Sequence, residues 1–253
     1  MPLPNLRRTT TTLLLALGLA MNGPGPIPAA GAGKVAAAVT PTRYCINRAG
    51  TAVYGQPSLR AAVRQYLPVG RAIGVLEVRP SADTRLIGKS LVLPGDWLRI
   101  ELNGTPGYVF SSDVTAHRPQ VLHSSDGRPY VVLLGAKKSS YSKKHKVRVA
   151  NHNETITDDI TQYAHCTYTY TAFDGCFDHS YRFSGLSLAE VYHHLANGYS
   201  GYQNGKLVLP KVLTHQGRTF SFTPGLGDAD ATQEIKLIIH PDNRIELQTA
   251  DCT

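Results

Sequence analysis

Turn signals recur so closely between residues 43 and 115 that every element there must be short. The strongest is Asn103-Gly104, set between Leu98-Arg-Ile-Glu-Leu102 and Gly107-Tyr-Val-Phe110. An Asn-Gly pair tolerates the positive φ angles of a two-residue hairpin turn, so these two runs are predicted to pair as a β-hairpin. Pro68-Val-Gly70 and Pro94-Gly-Asp96 mark further turns. Between the turns lie Tyr44-Cys-Ile-Asn47, Ala52-Val-Tyr54, Val63–Leu67 and Ala72–Val78. No helical period occurs here, and Arg79–Leu93 reads as an irregular connection. Short strands at turn-marked spacing predict a small β-barrel over residues 43–118.

The residues also carry a resemblance. Thr51-Ala-Val-Tyr-Gly-Gln-Pro57, then Val63–Leu67 and Pro68-Val-Gly70, resemble the start of a bacterial SH3-like domain. Asp96-Trp97-Leu98-Arg99-Ile100, then Asn103-Gly104-Thr-Pro-Gly107-Tyr108-Val109, are similar to the family's ending, with Ser111-Ser112-Asp113-Val114 as its closing turn and strand. The family's usual Asn-Val-Arg-Ser-Gly-Pro opening is absent, and Arg79–Leu93 is longer than the usual loop. The resemblance implies an SH3-like barrel that recognises peptidoglycan, a peptide or a protein partner. It nominates Tyr54, Tyr66, Trp97 and Tyr108 as residues lining a ligand groove. A core this small also needs large side chains, and Trp97 and Tyr108 are candidates to fill it.

Residues 120–253 have a different texture, matched to no family by sequence motif. Tyr130–Leu134, Val147-Arg-Val149, Leu207-Val-Leu209, Thr219–Thr223, Glu234–His240 and Arg244–Gln248 read as strands. Phe173-Asp174-Gly175 turns a hairpin bounded by Cys166 and Cys176. One helix is well marked. Ser187 is placed to cap it, and Glu190 stands three residues on, where a capping box needs it. Leu188, Val191, Tyr192 and Leu195 share a face, and Gly198 provides the stop. The expected fold is mainly β and α+β overall: the small barrel, then an antiparallel sheet with one helix across one face.

The N-terminus supplies an address. Arg7-Arg8, the apolar run Leu13–Met21 and an Ala/Gly/Pro-rich stretch to Ala38 follow the order of a secretory signal, so residues 1–38 are expected to direct export to the periplasm or the exterior. The run is about half of the ~20 residues that a membrane span requires. Four cysteines, Cys45, Cys166, Cys176 and Cys252, then read as disulfides. Of the three possible pairings, the hairpin context favours Cys166 with Cys176, leaving Cys45 for Cys252. A zinc site using Cys176 and His179 lacks the second tight pair of ligands that such sites carry.

Catalytic chemistry is poorly signalled. His193 and His194 are adjacent on the expected helix and point about 100° apart, so they do not share one ion. His179 beside Asp178 suggests a base with its orienter, but no nucleophile accompanies it. The histidines are therefore expected on the surface or in hairpins. No cofactor, metal or catalytic residue is expected. Lys137–Arg148 is strongly basic and reads as a solvated loop or a surface for a phosphate-rich polymer. The net charge of +8 fits an anionic partner without naming one. Together these observations predict an exported cell-envelope binding protein, its partner peptidoglycan or an envelope protein, with no nucleic acid and no membrane span. The alternatives are a cell-wall hydrolase or amidase with a C-terminal catalytic part, and a periplasmic inhibitor or immunity protein.

Overall fold

The computed structural model describes residues 40–149, 151–225 and 232–252, and the expected signal segment lies outside them. The first half is built from short strands, as its turns require. β1 (Thr42–Cys45), β2 (Thr51–Tyr54), β3 (Val63–Leu67), β4 (Ala72–Gly74) and β5 (Glu77–Arg79) come first. Two hairpins follow, β6 (Thr84–Ile87) with β7 (Leu91–Pro94) and β8 (Trp97–Leu102) with β9 (Thr105–Phe110). A 3-10 turn at Ser111–Asp113 leads into β10 (Val114–Thr115). Asn103 and Gly104 take φ of 50° and 77°, the conformation that their hairpin turn needs. Gly107 has no freedom to change, because a Cβ there would lie 2.5 Å from Cγ1 of Val53.

Apart from the separate β6–β7 hairpin, these strands form two hydrogen-bonded sheets, β3-β2-β9-β8-β5 and β10-β1-β4. Cys45, Val53, Leu67, Ile73, Val75, Leu98, Ile100, Val109 and Val114 pack together as their core. The stretch expected to be irregular, Arg79–Leu93, instead contains β6 and most of β7. This hairpin alternates: Leu91 and Leu93 are buried while Val92 is exposed. Its buried face belongs to the second half of the chain, which is why the first half offers no local pattern for it.

The hairpin β11 (Gln120–His123) and β12 (Pro129–Val132) bridges to that second half. There follow β13 (Lys137–Val149), β14 (His152–Tyr163), β15 (Cys166–Phe173) and β16 (Cys176–Phe183), then the helix α1 (Leu188–Tyr199). A small hairpin, β17 (Gly201–Gln203) and β18 (Lys206–Val208), precedes β19 (Lys211–Gln216), β20 (Thr219–Thr223), β21 (Thr232–Ile239) and β22 (Ile245–Cys252). An eight-stranded antiparallel sheet results, in the order β13-β14-β15-β16-β22-β21-β20-β19. Alternate residues of its strands, Phe183, Phe220, Phe222, Ile235, Leu237, Ile245 and Leu247, pack against Val191, Tyr192, Leu195 and Ala196 of α1. Leu91 and Leu93 enter this same core. Each fully buried Leu or Ile contributes about 2 kcal/mol by leaving water.

The helix begins as its sequence requires. Ser187 accepts from the Glu190 backbone N–H, and the Glu190 carboxylate accepts from the Ser187 backbone N–H, completing the capping box. Two expectations need correction. Lys137–Arg148 is strand throughout, not loop: the lysines hide a period-2 pattern that pairing with β14 holds in place, from Val149↔His152 back to Ser139↔Gln162. The disulfide pairing also differs. Cys176 is bonded to Cys252, and Cys45 and Cys166 are free and buried. The reason is register. Cys166 stands opposite Phe183 at the base of its hairpin, whereas Cys176 stands opposite Phe173 at the tip, a full strand length away. β22 then lies along the other side of β16 and sets Cys252 directly opposite Cys176.

Candidate functional site

The four aromatic residues nominated for a ligand groove fall into two groups. Tyr54 and Trp97 are buried, with Phe110, in a small cluster. The Trp97 ring meets Tyr54 edge-on at 5.3 Å and tilts against Phe110 at 5.2 Å. Its indole N–H donates to Asp83 at 2.7 Å, so the ring is satisfied at both ends. Tyr108 is half-buried beneath the Arg79 guanidinium, 5.1 Å from the ring centre. Tyr66 alone stands out, 65% exposed on β3. The structure thus pairs Tyr54 with Tyr108 across the β2–β9 ladder but does not gather the four around an open groove.

The polar residues of α1 fill a seam between the halves. Glu190, His193, His194 and Asn197 recur at i, i+3, i+4 and i+7, and all are buried. The two histidines are therefore not surface residues. Asp113, at the end of the 3-10 turn, is enclosed and paired with Arg85 of β6 and with His193 Nε2 at 3.3 Å. Asn47 donates to the same carboxylate at 3.2 Å. Burial pushes the Asp113 carboxyl up, but His193 and Arg85 outweigh it and hold it below its ordinary value. Thr115 donates to Glu190, and Asn197 donates to the Ile46 carbonyl at 2.8 Å while accepting from the Val131 N–H at 2.9 Å. His194 accepts from the Leu133 N–H through Nδ1, and burial lowers its pKa to about 4. These groups join parts of the fold through hydrogen bonds to protein, and His194 and Asn197 also line a cavity of about 620 Å³.

The thiols are poor nucleophiles. Burial raises Cys45 to about 11 and Cys166 to about 12, so neither is a thiolate near neutrality. His179 is oriented by Asp251, 3.4 Å from Nε2, not by its neighbour Asp178, which belongs to the opposite face of the sheet. Its Nδ1 meets the Tyr168 hydroxyl at 2.7 Å, but burial raises Tyr168 to about 12 and keeps it protonated. Among the described residues, no group of three or more His, Cys, Asp or Glu side chains is arranged to hold a metal ion, and no helix is long and apolar enough to cross a membrane.

What the structure does offer is a groove of about 1150 Å³ between the two halves. The β6–β7 turn forms one wall through Leu86, Ile87 and Gly88, and the β17–β18 turn forms another. The floor is β19, an end strand of the large sheet whose inner side pairs with β20. Residues of β20 do not line the groove, so the groove lies along the unpaired edge of β19. Leu213 (63% exposed) and Leu86 (57%) present apolar side chains to it. Lys89, Lys206 and Lys211 rim it, and no carboxylate is among its described lining residues. Sequence reading missed this site because its walls come from three separated segments. No local sequence signal marks it, because the exposure of Leu213 shows only in the folded chain.

Comparison with known proteins gives no match to any family, to any curated protein or to any solved structure.

Proposed function

We propose that the chain is an exported, non-enzymatic binding protein of the cell envelope that takes an extended, acidic segment of a protein partner along the free edge of β19. The observation that carries this reading is the conjunction, in one groove, of an unpaired strand edge, the exposed apolar side chains of Leu213 and Leu86, and a rim whose charged side chains among the described residues are all lysines. An extended segment laid beside such an edge gains main-chain hydrogen bonds, while alternate side chains enter the apolar floor. Lysines without carboxylates select acidic residues and speed their approach. The Cys176–Cys252 disulfide supports an oxidising compartment, in keeping with the signal-like N-terminus. The resemblance of residues 51–114 to bacterial SH3-like domains supports the envelope setting.

The test is binding of the mature chain to short peptides that alternate apolar and acidic residues, alongside co-sedimentation with purified peptidoglycan. Peptide binding abolished by Leu213→Asp and unaffected by Tyr66→Ala is the expected result. Co-sedimentation lost with Tyr66→Ala but kept with Leu213→Asp would move the ligand site to the SH3-like half. Release of soluble fragments from peptidoglycan would replace the binding reading with the hydrolase alternative.

A further inference from the structure

The β13–β14 hairpin continues past its neighbours. β14 pairs with β15 only over Asp158–Gln162, so residues 144–149 and 152–157 extend beyond the sheet as a two-stranded ribbon. Register assigns each side chain of this ribbon to a face, because directly opposed residues of an antiparallel pair project the same way. One face carries Lys144↔Thr157, Lys146↔Thr155 and Arg148↔Asn153. The other carries Lys143↔Asp158, His145↔Ile156, Val147↔Glu154 and Val149↔His152. The charges are therefore sorted. On the second face, His145 contacts Asp158 at 3.2 Å, His152 contacts Glu154 at 2.7 Å, and Ile156 is buried. On the first, three exposed cations stand in line against hydroxyl and amide side chains, and none forms an ion pair among the described residues. The nearest carboxylate on that face, Asp159, lies at the base where β14 pairs with β15, and accepts from Ser142.

We propose that this face binds a linear, base-free phosphodiester polymer. Alternate residues of a strand are about 6.7 Å apart, so Lys144, Lys146 and Arg148 form a straight row of like charge that matches an extended polyanion. The rest of the face decides which polyanion. It holds no aromatic ring on which a nucleobase could stack, which disfavours single-stranded nucleic acid. It holds no apolar side chain to enter a lipid interface, which disfavours a membrane. The threonines and the asparagine opposite the cations are hydrogen-bond donors to phosphate oxygens. Edge-strand lysines also guard against unwanted strand pairing. That protective role needs charge at the edge only, and does not require anions and cations to be separated onto opposite faces.

The test is titration of the full chain with synthetic poly(glycerol phosphate) over a range of salt concentrations. Combined Lys144→Gln, Lys146→Gln and Arg148→Gln is expected to weaken binding roughly tenfold or more and to reduce the dependence of log affinity on log salt by about 2. Lys143→Gln, on the other face, is expected to change neither. Arg60→Gln, Arg71→Gln and Arg118→Gln together remove the same net charge from exposed positions elsewhere and are also expected to change neither. Unchanged binding by the ribbon variant overturns the proposal, as does an equal loss in the distant-arginine variant. Tighter binding to single-stranded DNA or to phosphatidylglycerol vesicles than to the polymer overturns it as well. Should the triple variant fail to fold, Lys146→Glu, a single exposed reversal, is expected to weaken binding and to reduce the salt dependence by about 1, and unchanged binding then overturns the proposal. Leu213→Asp leaves polymer binding intact, which keeps this test separate from that of the groove.

Discussion

The seam around α1 and the ribbon of β13–β14 are both rich in charged and polar residues, and they put them to opposite use. In the seam, Asp113 is enclosed by Arg85, His193 and Asn47, so its carboxylate faces protein groups and not water. In the ribbon, Lys144, Lys146 and Arg148 stand in water with no counter-charge. A buried charge without partners costs several kcal/mol, whereas an exposed one costs almost nothing. Burial thus makes the seam's residues structural and leaves the ribbon's residues free to meet something else. Residue type alone does not distinguish the two, and the histidines show it: His193 and His194 are held inside, while His152 is on the ribbon.

The largest expected effect separates these regions directly. Asp113→Ala leaves Arg85 and His193 without their carboxylate and is expected to lower stability by about 3 kcal/mol or more, read by urea unfolding. A loss below about 1 kcal/mol would place the seam in the same class as an exposed surface. The second effect is one of pH. An unfolded imidazole titrates near 6.5, whereas His194 stays neutral in the folded chain down to about 4. Between those values the unfolded chain binds a proton that the folded chain refuses. Stability is therefore complete above pH 6.5 and falls as the pH drops through the window, by up to about 3 kcal/mol at its foot. His194→Gln is expected to flatten that slope, and an unchanged slope would assign the acid sensitivity to another group. Ser187→Ala removes the cap of the helix that carries the seam and is expected to cost about 1 kcal/mol. The smallest effect belongs to the ribbon: Lys146→Gln is expected to change stability by no more than about 0.5 kcal/mol in either direction.

Local features of the fold were legible wherever the cause is local. Asn103-Gly104 and Asp174-Gly175 each contain the conformation of the turn they make, with φ of 50° and 77° and of 49° and 76°. Ser187 and Glu190 announce the helix in the same way. Features whose cause is remote were not legible. The β6–β7 hairpin has its apolar face satisfied by α1 and by strands more than a hundred residues away, so Arg79–Leu93 looks irregular on its own. Cys176 finds Cys252 through the order of strands in the sheet, which cysteine spacing does not encode. The groove is of the same kind, since Leu86, Lys206 and Leu213 are unremarkable singly and meet only in the folded chain. The stripe Glu190, His193, His194 and Asn197 was visible at helical spacing, and a polar stripe on an otherwise apolar helix is a usable sign of a second buried face.

Among the described residues, strand β22 follows every other strand in sequence yet joins β16 to β21 in the middle of the large sheet. A chain that emerges amino end first during synthesis would hold β13–β16 and β19–β21 as two half-sheets with bare inner margins until residues 245–252 arrive. Such margins invite pairing with other chains. Safe folding of this sheet should therefore depend on how quickly residues 245–252 slot in, with closure of the Cys176–Cys252 bond acting afterwards as a latch on the completed sheet.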